Sequence, residues 1–359
     1  MSALSREVIW DRLREGGLAE GELPAPGEGR SPWFVRVMLG FAGWIGASFL
    51  LGFVGVGFVF VMKSATASVL VGAAACSAAA VIFRASPRGD FASQFGLAVS
   101  LAGQALMVFG LFQWFERSIT GIALAVAMQQ ALLFVLLPNY LHRVWAAWSG
   151  TYAASFALLD MGLQAFVPAA VTAAFLAVWL REFDHPRHGE LVRSGGYGLA
   201  LAAVQTAVMH GELWYSWMQA RGGAVLFGGE AGAWIGAVTC GAVLLWAVIT
   251  LLRREGVPLA SAVGKIALAG AAILALLSLK TPGVGPAAAI LVVGYANGNR
   301  VLAGLGIVAL LGYLSHYYYA LHATLLEKSV LLACAGLALL LLRLALLKWW
   351  PRAKEVGHA

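Results

Sequence analysis

The chain has 359 residues, of which 61% are hydrophobic and only 11% charged, with a formal net charge of +7 and a mean hydropathy of +0.82. A soluble domain carries roughly 25% charged residues, so a water-soluble globular protein is excluded, and lipid must surround most of the surface. The basic residues sit in short loops between apolar runs rather than on one polar face, which makes the excess a topology signal and gives no reason to expect a nucleic-acid partner.

The first 32 residues are polar and mixed in charge, without the apolar core of a cleavable signal peptide. Ser5 is placed to cap a short amphipathic helix in which Val8, Ile9 and Leu13 fall near one face, and Gly16-Gly17 would end it. The Gly-, Pro- and Glu-rich stretch from Glu20 to Arg30 reads as a flexible tether. This gives a cytoplasmic appendage over 1–32, a transmembrane helical domain over 33–350 and a cytoplasmic tail over 351–359.

Apolar runs follow at 35–62, 64–83, 91–115, 119–138, 143–162, 163–180, 195–216, 231–252, 261–279, 284–297, 300–322 and 328–350. Backbone groups in lipid must be satisfied internally, and these runs are continuous rather than alternating, so they read as helices and not as strands of a barrel. The fold expected is all-α, a polytopic transmembrane bundle of about twelve spans. Two places test that count. Residues 143–180 contain Asp160, Gln164 and Pro168, and would form two helices joined by a tight turn at Asp160-Met161-Gly162. The run at 284–297, bounded by Pro282-Gly283 and Asn297-Gly298, is short enough to be re-entrant instead of spanning.

Charge settles an orientation. With twelve spans and the N-terminus inside, eighteen Lys and Arg fall inside and five outside; Lys265, within a span, completes the 24. If 284–297 failed to span, the basic residues at the C-terminal end would move outside, so the positive-inside rule favours twelve spans with both termini in the cytoplasm. The expected location is a bacterial inner membrane. Trp33, Trp114, Trp179, Trp214, Trp217, Trp349 and Trp350 fall near run ends, where an indole suits the headgroup layer. Glycines inside runs, such as Gly40, Gly43, Gly46 and the pair Gly232/Gly236, read as helix-packing residues.

No phosphate-binding loop, nucleophile elbow, zinc motif or paired carboxylate is present, and Cys76, Cys240 and Cys334 lack the spacing of a disulfide framework or metal site. No cofactor is expected. The connector Asp184-His185-Pro186-Arg187-His188-Gly189-Glu190 carries two histidines three apart, but Pro186 spoils helical presentation of a metal. Ionisable residues inside lipid are candidates for function by default. Lys265, one turn into its run, either snorkels to the interface or faces a cavity. His210 and Glu212, at the outer end of the seventh run, could form a belt or a proton site. Gln94, Gln104, Gln113, Gln129, Gln130 and Gln205 are each cheap as interhelical hydrogen-bonding groups, but together they raise the prospect of a polar interior. The densest stretch runs from Asn299 and Arg300 through His316, Tyr317, Tyr318 and Tyr319 to Glu327 and Lys328, the last two able to pair with each other, Asp160 or Glu212.

The pattern YYYxLxxTLLxKSxxL with a following LLxR, from Tyr317 to Arg343, together with Gly298-Asn299-Arg300 and Pro32-Trp33, resembles a bacterial family of multi-pass membrane proteins of unknown function. The resemblance covers the chain from about residue 30. It implies neighbours: members are similar to proteins encoded beside another polytopic protein and a smaller one with a GDYxxLxY motif, which suggests a multi-component inner-membrane complex. Three functions are therefore carried forward. The first is a component of such a complex, bound through Tyr317 to Lys328. The second is a secondary transporter or permease with a midplane site. The third is a lipid-modifying enzyme using His210 and Glu212 or His316.

Overall fold

The computed structural model describes residues 6–17, 61–86, 90–116, 118–184, 188–209, 229–279 and 283–320, with isolated positions in 21–56 and 326–344; for 317–320 the backbone alone is described. Among the described residues every regular element is helical. The α-helices are α1 (Arg6–Glu15), α2 (Ala65–Ala85), α3 (Asp90–Trp114), α4 (Ile119–Leu136), α5 (Tyr140–Asp160), α6 (Val167–Trp179), α7 (Gly189–Met209), α8 (Gly229–Arg254), α9 (Ala262–Ser278), α10 (Val284–Ala296) and α11 (Arg300–Ala320). Most of the runs at 35–62 and 328–350 and of the tether, with the Ser5 cap and Trp33, Trp214, Trp217, Trp349 and Trp350, lie outside the described residues.

Local chemistry explains where the helices start. Ser64, Ser118, Asn139 and Ser261 cap α2, α4, α5 and α9, each side-chain oxygen accepting from the backbone N–H three residues on. These caps satisfy donors that the first turn of a helix leaves free. The Asp160-Met161-Gly162 turn forms as the sequence indicated: α5 ends at Asp160, Gly162 adopts a positive φ of 81°, and a 3-10 turn at Gln164–Phe166 leads into α6. Helix α7 starts well before its apolar run, because its first turn is held by ion pairs rather than by lipid. Glu190 meets Arg143 at 3.1 Å and Arg193 meets Glu182 at 2.8 Å.

Four helices, Ala65–Ala85, Phe91–Trp114, Ile119–Leu136 and Ala231–Arg254, are long and apolar enough to cross a membrane. Helices α6 and α10 are different. Each has 13 residues, a length of about 20 Å against a hydrocarbon layer of about 30 Å. Both are enclosed by other helices. Val167, Phe175, Leu176 and Trp179 of α6 and Ala289, Ile290 and Val293 of α10 have no exposed surface, and they form one core with Leu244 of α8 and Leu302 of α11. Chain ends at membrane depth are tolerable when protein rather than lipid surrounds them. The segment 284–297 is a short helix enclosed by its neighbours.

Helix α10 crosses α11 at very close range. A Cβ on Gly294 would stand 2.5 Å from the Ala303 nitrogen, and one on Gly306 would stand 2.6 Å from the Leu291 nitrogen. Small residues on both partners allow this approach, which replaces hydrophobic driving force with van der Waals contact. Gly236, singled out in the sequence, likewise abuts the Ala165 carbonyl, whereas Gly46 faces open space.

Candidate polar centre

The bundle is polar inside and apolar outside along α4. Leu124, Met128, Leu132 and Val135 are exposed on one face, while Gln129 and Gln130 are buried on the other. Opposite Gln130, α3 contributes Ser100 and Gln104, and α5 contributes His142, all buried. The Gln expectation of a polar interior leads to this place, although His142 was not among the sequence candidates. Its apolar run begins one residue later, at 143, which made the histidine look like part of a loop. The helix begins at Tyr140 because Asn139 caps it, accepting from the His142 N–H at 3.0 Å.

The hydrogen bonds at the centre have a defined direction. Trp145 Nε1, a donor only, bonds Gln104 Oε1 at 3.2 Å, and Gln130 Nε2 bonds the same oxygen at 2.9 Å. Gln104 must therefore turn its NH2 group the other way, toward Ser100 Oγ at 3.1 Å and His142 Nε2 at 2.9 Å. A carboxamide nitrogen has no lone pair to offer, so His142 Nε2 is the acceptor and the imidazole carries its proton on Nδ1. Ser100 Oγ, also 2.9 Å from Nε2, donates to the same lone pair. Four buried polar atoms here have no partner among the described residues' hydrogen bonds: His142 Nδ1, Gln130 Oε1, and the nitrogen and oxygen of the adjacent Gln129 carboxamide. Such atoms are costly unless something satisfies them.

Neighbouring contacts hold the three helices in register. Asn139 Nδ2 donates to Ser93 Oγ at 2.8 Å, and Phe83 meets the His142 ring edge-on at 6.2 Å. Trp148 packs against Trp145 and donates to Gln205 Oε1 at 2.6 Å, linking the centre to α7. At the end of α4, Arg84 donates to the Leu136 carbonyl and Arg143 to the Phe134 carbonyl, where cations complement the helix dipole.

A second polar group joins the ends of α6, α7, α8, α10 and α11. Buried Glu182 accepts from Arg193 and from Asn297 Nδ2, the latter at 3.3 Å. Asn297 also donates to the Trp179 carbonyl and accepts from Arg254. The Glu182 carboxylate pushes the Arg193 guanidinium pKa further up. Asn299 caps α11 through the Leu302 N–H at 3.1 Å and exchanges hydrogen bonds with the Tyr197 hydroxyl. Among the buried polar atoms of this group, the Trp179 indole N–H alone lacks a partner among the described residues, and it lies against Gly196.

Of the sequence candidates, Asn299 is thus a helix cap and clamp, and Arg300 beside it is exposed. Lys265 is exposed in the first turn of α9, at the arginine-rich end. His316 is exposed near the far end of α11. None of these four is joined to another of them by a hydrogen bond among the described contacts. His210, Glu212, Glu327 and Lys328 lie outside the described residues, as do the side chains of Tyr317, Tyr318 and Tyr319. Asp160, once a partner considered for Glu327 or Lys328, instead accepts from the Thr120 backbone N–H at 3.2 Å and its hydroxyl at 2.5 Å. Among the described residues no cluster of three His, Cys, Asp or Glu could hold a metal.

A helical bundle that exposes Leu and Met while burying glutamine and histidine has the polarity of an integral membrane protein. Four helices of spanning length and apolar character accord with that class. Within it, the chain belongs to the family described as a domain of unknown function (DUF4401), whose model matches residues 32–349. No curated protein and no solved structure matches the chain.

Proposed function

We propose that the chain is a membrane transport protein of the secondary transporter or permease kind, with its polar path built on His142, Ser100, Gln104 and Gln130. The observation that carries this reading is the unpartnered His142 Nδ1 at the heart of a bundle whose outer faces are apolar. A buried polar group inside a membrane bundle marks a substrate or ion path by default. The two short interior helices α6 and α10 add support, since interrupted helices enclosed by others are a recurrent feature of transporters. The exposed Lys265 takes no part in this version of the site.

The accompanying topology is about twelve spans in a bacterial inner membrane, with both termini in the cytoplasm. The eighteen-to-five charge asymmetry supports it. So does the linkage of Arg84, Arg143, Arg193 and Arg254 to neighbouring helix ends at a single end of the bundle.

The test is permeability of liposomes reconstituted with the purified protein, across a panel of uncharged solutes, amino acids, alkali cations and protons. Flux of any member above protein-free liposomes, reduced in Gln104→Leu, is the expected result. Liposomes as tight as empty ones to every member would overturn the reading. A second reading, a component of a small membrane complex, rests on the Tyr317 to Lys328 motif and the partner genes its resemblance implies. Co-purification with the GDYxxLxY protein, weakened by Lys328→Ala, is its test, and protein that always purifies alone would count against it.

A further inference from the structure

The polar centre has a chemical character that narrows what it could accept. Its groups are three carboxamides, a hydroxyl, an indole and an imidazole, and no Asp, Glu, Lys or Arg side chain is hydrogen-bonded to Ser100, Gln104, Gln130 or His142 among the described contacts. An ion placed there would sit in apolar surroundings without a counter-charge, which is strongly unfavourable. The guanidinium groups of Arg84 and Arg143 are held at the carbonyls that end α4 and would repel a cation approaching from that side.

A proton is disfavoured by the hydrogen-bond directions. His142 becomes an imidazolium only by taking a proton on Nε2, which faces the Gln104 NH2 group at 2.9 Å. Rotating the Gln104 carboxamide to accept that proton would turn its NH2 against the donor-only Trp145 indole, losing that hydrogen bond, and would force Gln130 to rotate as well. Gln104, Trp145 and Gln130 therefore act as positioning residues that keep the imidazole neutral, with its N–H at Nδ1.

We infer that the centre binds an uncharged hydrogen-bonding molecule, either water or a small neutral solute of urea's kind. It would accept from His142 Nδ1–H and donate to Gln130 Oε1, the two complementary atoms left without protein partners. Gln129, buried next to Gln130 with both ends of its carboxamide unpartnered, supplies a further neutral donor and acceptor in the same bundle. This inference rests on the transport reading.

The experiment uses the full chain in liposomes, with water, urea, sodium ions and protons as separate probes. Osmotic shrinkage reads water, swelling in urea reads the solute, and entrapped indicators read the ions. The expected result is a several-fold rise in water or urea permeability with tightness to both ions; water alone identifies the first ligand, urea the second. His142→Asn, which keeps a side-chain N–H close to the position of Nδ1, should retain flux, and His142→Phe should abolish it. Gln130→Leu repeats the test through the acceptor if His142→Phe does not yield a monodisperse protein. Sodium or proton flux without neutral flux overturns the inference and leaves the transport reading standing. No flux of any probe overturns the inference, and the transport reading falls with it when the amino acids and other solutes of the wider panel are also excluded. Unchanged neutral flux in a folded His142→Phe or Gln130→Leu protein overturns the assignment of the site.

Discussion

Trp145 and His142, three residues apart on α5, grip opposite ends of one carboxamide on α3: the indole N–H holds Gln104 Oε1, and the imidazole Nε2 accepts from Gln104 Nε2. Residues three apart share a helix face, so one stretch of α5 both orients Gln104 and reads its orientation. The tautomer of the histidine thus depends on a tryptophan that acts on it through Gln104.

Replacing Gln104 removes this relay at its centre. Gln104→Leu strands the Gln130 amide in buried surroundings, frees the half-exposed Trp145 N–H and leaves His142 Nε2 with Ser100 Oγ alone, and a stranded buried group costs about 1–3 kcal/mol. Membrane-embedded hydrogen bonds average less, so a net loss of about 2 kcal/mol is expected in detergent unfolding. Gln113→Leu, at an exposed position with one bond to the Met62 carbonyl, should fall within about 0.5 kcal/mol of the parent.

Asn299 and Tyr197 should behave as a coupled pair. Asn299→Ala loses the cap of α11 and both bonds to the tyrosine hydroxyl, at a cost of about 1–2 kcal/mol. Tyr197→Phe loses the second part alone. In a double-mutant cycle, the combined variant should be less destabilised than the sum by about 0.5 kcal/mol or more; strict additivity would show that the pair contributes nothing.

The α10–α11 crossing should be intolerant of a single methyl group. Gly294→Ala and Gly306→Ala drive a Cβ into backbone at 2.5 and 2.6 Å, and overpacking of this kind costs typically 1–3 kcal/mol. Gly312→Ala meets nothing within 4 Å, and should be neutral or slightly stabilising. Melting temperatures of the three purified variants separate the two outcomes.

Asp160 joins the end of α5 to the start of α4 through two bonds to Thr120. A carboxylate at a helix N-terminus gains from both the free N–H groups and the dipole. Asp160→Ala should cost about 1–2 kcal/mol and Asp160→Asn less, because the amide oxygen can still accept. Equal losses in the two variants would show that the acceptor has no part in it.

Much of the bundle was legible in the sequence because hydropathy and capping are local properties. The ten apolar runs between 64 and 322 all correspond to helices, and the turn at Gly162 was visible from Asp160, Gly162 and Pro168. Enclosure was not legible. Ala287 through Ile290 read the same whether they face lipid or neighbouring helices, since both are apolar, and only the packing shows α10 to be interior. The polar centre was half legible: Gln104 and Gln130 signalled a polar interior, but no one-dimensional signal pairs them across three helices. His142 was missed because it falls one residue before its apolar run, while the helix itself begins at Tyr140. Asn299 stood out in the sequence, while its role as cap and clamp depends on Tyr197, 102 residues away.

The protonation of His142 is the most direct test of the polar centre. Nitrogen-15 spectra of the histidine-labelled protein in lipid, assigned by the signals missing in His142→Asn, report which ring nitrogen bears the proton. The arrangement of Trp145, Gln104 and Gln130 requires a neutral ring protonated at Nδ1, shifting toward a tautomer mixture in Gln104→Leu. A ring protonated at Nε2 in the parent protein, or an imidazolium at neutral pH, would contradict it.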